Sequence, residues 1–115
     1  MPLPRKLTIC GTEWAVVFDA KQDGGAFTWE TTTIKIGKFT HERTEQILLH
    51  EVSEIILVEL EVRYVMTNGE GNGAYLFNFD HRQFDVFALE LNAVMKQLWR
   101  FYAEGSRKGT KKSGT

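Results

Sequence analysis

His50-Glu51-Val52-Ser53-Glu54 sets one imidazole and two carboxylates within five positions, flanked by Ile47-Leu48-Leu49 and Ile55-Ile56-Leu57. Groups of this kind are costly to bury unless they pair with one another or bind a metal. On a helix, residues four apart lie one above the other, so His50 and Glu54 share a face. Zinc hydrolases use this arrangement in His-Glu-x-x-His; here the fifth position is Glu. Catalytic zinc takes three protein ligands and keeps a fourth position for water. His50 and Glu54 supply two. The expected third is His81, which opens a second helical segment three residues before Phe84 and so shares its face. The resulting His/Glu/His set is an accepted combination for catalytic Zn2+. Glu51 points away from that ligand direction and is the expected general base, taking a proton from a water whose pKa the ion lowers. Short motifs recur by chance on charged helices. This one is set apart by its apolar surroundings and by the second histidine at the start of an amphipathic helix.

Several elements must position these groups. Leu7-Thr8-Ile9-Cys10 and Trp14-Ala15-Val16-Val17-Phe18 are β-type runs separated by Gly11-Thr12. Asp19 to Gly25 reads as a loop ending in two glycines. Thr28 to Ile36 is rich in β-branched residues and predicts one strand with a wet face, closed by Gly37. Thr40 is a suitable N-cap for a helix from about His41 to about Leu60, whose apolar positions go nearly all the way round. Glu61–Thr67 and Ala74–Phe79 predict a hairpin across the glycine-rich stretch Asn68–Gly73. Asp80 then caps a final helix to about Tyr102, in which Phe84, Phe87, Ala88, Leu91, Val94, Met95, Leu98 and Phe101 follow helical periodicity. The predicted fold class is α+β: a small, mostly antiparallel sheet packed against two helices.

With 115 residues, one domain over 1–103 and a disordered basic tail over 104–115 are expected. A hydrophobic fraction of 43% supports a folded core, and a net charge of -1 gives no argument for nucleic-acid or membrane-surface binding. One cysteine, Cys10, excludes an internal disulfide and a cysteine-rich zinc site. Met1 to Lys6 lacks the apolar stretch of a signal peptide and no run is long enough to span a bilayer, so a cytoplasmic location is expected. His41 reads as an exposed residue at the start of its helix, and Trp14, Trp29 and Trp99 as core or rim aromatics.

Glu45-Gln46-Ile47-Leu48-Leu49-His50-Glu51-Val52-Ser53-Glu54-Ile55-Ile56 resembles the active helix of small phage- and prophage-associated zinc metallopeptidase-like proteins, compact relatives of the gluzincin, or zincin-like, group. Gly11-Thr12-Glu13-Trp14 is similar to the Gly-x-x-Trp of their first hairpin, and Phe79-Asp80-His81-Arg82-Gln83-Phe84 to the opening of their last helix. The resemblance spans roughly residues 7–102. It implies a zincin-like fold and a zinc-dependent metallohydrolase, here a small peptidase acting on a peptide or protein. The alternative it leaves open is a catalytically silent zinc-binding protein of phage origin that binds a host or phage protein.

Overall fold

Cys10 and Gly11 both have positive φ, 50° and 80°. That is the backbone of a two-residue type I′ turn, whose twist suits the strands it joins. In a computed structural model that describes residues 3–65 and 75–113, this turn links β1 (Lys6–Ile9) to β2 (Thr12–Phe18), with Ile9 opposite Thr12. The chain continues through β3 (Gly25–Thr28), β4 (Thr33–Ile36), α1 (His41–Glu59), β5 (Arg63–Val65), β6 (Tyr75–Phe77) and α2 (His81–Ser113).

The main sheet has the order β1-β2-β4-β3. β1 and β3 run antiparallel to their neighbours, while β2 and β4 are parallel, with Val16 beside Ile34 and Phe18 beside Ile36. β5 and β6 form a separate antiparallel pair. The predicted α+β class with a mostly antiparallel sheet is therefore observed. One predicted element divides: Thr28 to Ile36 holds the last residue of β3, a turn and β4, within a hairpin that begins at Gly25. β3 and β4 are joined by Trp29–Thr32, closed by the Thr32 N–H donating to the Trp29 carbonyl at 3.2 Å, with Thr32 at φ 43°. No glycine, proline or asparagine marks this turn in the sequence. The glycine-rich stretch Asn68–Gly73 lies outside the described residues.

One face of the sheet contributes Leu7, Ile9, Trp14, Val16, Ile34 and Ile36 to the core. Alternation along each strand sends these side chains to the same side. Across from them α1 supplies Ile47, Leu48, Val52, Ile55 and Ile56, and α2 supplies Val94 and Leu98. α1 is thus pressed between sheet and helix, which accounts for its nearly all-round apolar pattern. Gln97 ties α2 to strand β1: its side chain accepts from the Thr8 N–H at 2.8 Å and donates to the Thr8 carbonyl at 2.7 Å.

Both helix starts follow their predicted caps. Thr40 Oγ1 accepts the Arg43 N–H. Asp80 Oδ1 accepts the Gln83 N–H at 2.9 Å while Gln83 Oε1 accepts the Asp80 N–H at 3.0 Å, a reciprocal capping box. α1 ends in a Schellman arrangement: Val62 N–H donates to the Leu57 carbonyl and Glu61 N–H to the Val58 carbonyl. Glu61 occupies the left-handed position, φ 58°, that glycine usually fills. α2 runs on to Ser113, past the end near Tyr102 that the sequence predicts. The only prolines stand at positions 2 and 4, and glycine lowers helix propensity without blocking it as proline does. Among the described residues, no helix is long and apolar enough to cross a membrane.

Candidate metal centre

α1 turns one edge toward β3 and the β5–β6 pair, and His50, Glu51 and Glu54 lie along that edge. Each offers a ligand atom within 4.8 Å of the other two. His50 Nε2 is 3.5 Å from Glu54 Oε2 and 3.7 Å from Glu51 Oε2. Ligand bonds of about 2.0–2.2 Å in a tetrahedron put neighbouring donors about 3.3–3.6 Å apart. The His50–Glu54 distance falls in that range and the His50–Glu51 distance lies just above it, and one imidazole with two carboxylates is a donor set that could hold a divalent ion.

The three groups differ in setting. The His50 side chain is 73% exposed, so its ring is open to solvent. Glu54 is mostly covered, and its Oε1 accepts from Arg63 Nη1 of β5 at 3.4 Å. The Arg63 guanidinium also lies 5.9 Å from the centre of the Phe27 ring on β3. Arg63 thus ties Glu54 to the surrounding strands. Glu51 is buried, 5% exposed. Burial pushes its carboxyl pKa upward; the nearby His50 acts in the opposite direction and Glu54 adds to the rise.

Glu51 has room because of Gly25. A Cβ at position 25 would fall 2.4 Å from Ile47 Cγ2 and 3.2 Å from Glu51 Cγ. The absent side chain lets β3 approach α1 at the motif itself. Two open pockets flank the cluster. One, of about 490 Å³, is lined by Gly24, Gly25, Arg43, Gln46, His50 and Glu51, together with Asp23 and Ile47. The other, of about 200 Å³, is lined by His50, Ser53, Glu54, Leu57 and Phe77. His50 belongs to both.

Three of the four residues singled out by sequence come together; His81 does not join them. Its side chain is 90% exposed and its Nδ1 sits 3.4 Å from Asp85 Oδ2, one turn along α2. The face it shares with Phe84 is not a buried one at this point, because Phe84 itself is 49% exposed. The first turns of α2 overhang the core, which begins to cover the helix at Phe87 and closes over Val94 and Leu98. Glu51 shows the converse: the sequence sets it apart from the ligand direction, yet its carboxylate lies almost as near His50 as that of Glu54.

His41 is half-buried and meets the Tyr102 ring edge-on at 6.0 Å, so it belongs to the packing of α1 on α2. Trp14 is buried and makes edge contacts with Phe27 and Trp29, while Trp99 is 69% exposed. Arg43, Arg63 and Gly25 are the site residues that sequence reasoning passes over. Arg43 carries a signal, seven residues before His50 and hence on the same helical face. The roles of Arg63 and Gly25 depend on contacts between distant segments. No family model, curated protein or solved structure matches this chain.

Proposed function

We propose that the protein is a small zinc-dependent hydrolase acting on peptide bonds, with His50 and Glu54 as two of the metal ligands and Glu51 as general base; the third ligand expected from sequence, His81, stands outside the cluster. The observation that carries this reading is the convergence of one imidazole and two carboxylates at donor-like spacing, beside a pocket open to solvent. When bound, the ion would act as a Lewis acid toward water and a substrate carbonyl. The remaining work falls to the chain. Arg63 holds Oε1 of Glu54, leaving Oε2 directed at His50. Glu51, screened from bulk water and lining the larger pocket, accepts the proton of the attacking water and returns it to the departing amine. A cytoplasmic setting and a peptide or protein substrate belong to the same proposal.

Zinc-loaded wild type should cleave members of a mixed peptide library, and Glu51→Gln should keep the metal while losing cleavage. Equal lack of cleavage by both proteins across the library removes the hydrolase reading. A second reading is a zinc-binding protein without turnover that recognises a protein partner. It is favoured by the position of His81, which leaves no second histidine at the cluster. Zinc binding with no cleavage is the result it requires.

A further inference from the structure

Charged groups from two parts of α1 line the larger pocket: Glu51 and His50, and Arg43 from the first turn of the helix. The backbone of Arg43 is fixed, because its N–H donates to Thr40 Oγ1 at 3.3 Å. No ion pair engages its guanidinium among the described residues. Asp23 lines the same pocket from the loop before β3, but makes no ion pair with Arg43. Gly24 and Gly25 add bare backbone to the lining.

From this arrangement we infer that Arg43 is a substrate-binding residue that receives a carboxylate of the peptide. The inference rests on the hydrolase reading above and names its substrate class. A guanidinium matches a carboxylate with paired N–H donors, which fixes position as well as charge. Arg43 and His50 are seven residues apart on one helix, an axial separation of about 10 Å. An extended peptide advances about 3.3 Å per residue, so the carboxylate lies about three residues from the bond that is cut. The carboxylate has two possible sources on a peptide: the C-terminus, or an aspartate or glutamate side chain at that distance.

The test separates this subsite from the hydrolase reading by measuring binding without turnover. Full-length Glu51→Gln protein is titrated with three fluorescein-labelled alanine hexapeptides: one with a free C-terminal carboxylate, one C-terminally amidated, and one amidated with a single internal glutamate. At least one carboxylate probe should bind about tenfold more tightly than the neutral amide, the value of one charge-assisted hydrogen-bonded contact. Whichever probe is preferred identifies the source. Adding Arg43→Ala should abolish the preference, and Arg43→Lys should restore part of it. Equal binding of all three probes, binding of none of them at millimolar concentration, or a preference that survives Arg43→Ala overturns the inference. A preserved preference in a protein that cleaves nothing leaves the subsite standing and removes only the hydrolase reading. Arg43 is exposed on the first turn of α1, so circular dichroism should show native helix content in each variant.

Discussion

His50 Nε2 faces Glu54 Oε2 at 3.5 Å, while the other oxygen of the same carboxylate accepts from Arg63 at 3.4 Å. The carboxylate is therefore held from behind by a strand residue and presented forward to the imidazole. Partners that orient a ligand in this way commonly contribute about 10–100-fold to metal affinity. Arg63→Ala should weaken zinc binding by about tenfold or more on this basis, measured by competition with a chelating dye. Because Arg63 and Glu54 are largely covered, thermal stability should also fall, by about 1 kcal/mol. Unchanged zinc affinity would show that Arg63 does not position Glu54.

Gly25 predicts a steric effect at the same site. Gly25→Ala drives a methyl group into Ile47 Cγ2 and against Glu51 Cγ. Inserting a methyl into close-packed surroundings typically costs about 1–3 kcal/mol. Denaturant melts should show that loss. Ile47→Ala, which removes Cγ2, should make the losses in the double variant less than additive; strictly additive losses would contradict the contact.

Glu61 predicts a stabilisation. It holds a left-handed backbone at the end of α1 with φ 58°. A non-glycine residue there carries a cost of about 1 kcal/mol. Glu61→Gly should raise the free energy of unfolding by up to about 1 kcal/mol, after the larger entropy that glycine brings to the unfolded chain. A fall in stability would show that the Glu61 side chain contributes more than its backbone costs.

Cys10 predicts a slow thiol. It is half-buried beside Glu90, and burial first, then the Glu90 and Glu59 charges, push its pKa up to about 11 from 9.0. Iodoacetamide at pH 8 should therefore modify native Cys10 far more slowly than the unfolded chain, because the thiolate is the reacting species. The stability consequence follows from proton binding. The folded state keeps its proton over a range where the unfolded state has lost it. This contribution is fully present below pH 9 and declines as the pH rises from 9 toward 11. Alkylation at the unfolded rate would contradict the burial.

Local signals in the chain were sufficient for most elements. Thr40 and Asp80 announce the two helix starts through side chains that bond the backbone a few residues on. Gly11 marks the break between the first two strands, though the turn is Cys10-Gly11 and not Gly11-Thr12, and the spacing of His50 and Glu54 locates the cluster. The rest depends on relations that sequence spacing does not contain. The turn at Trp29–Thr32 lacks the usual turn residues, so Thr28 to Ile36 reads as one strand and β3, which begins at Gly25, goes unseen but for its last residue. The parallel pairing of β2 with β4 and the reach of Arg63 to Glu54 join segments far apart in the chain. His81 falls on a face that is apolar in pattern but overhangs the core, so periodicity alone cannot bury it.

Metal binding by the α1 cluster is tested most directly by the zinc content of protein purified without chelator. Wild type should carry about one equivalent, because a site of this ligand type retains its ion. His50→Ala and Glu54→Ala should each lose most of it. His81→Ala should keep the wild-type content, since His81 stands outside the cluster. A wild-type content below about 0.2 equivalents, or full content in His50→Ala, would contradict the central claim.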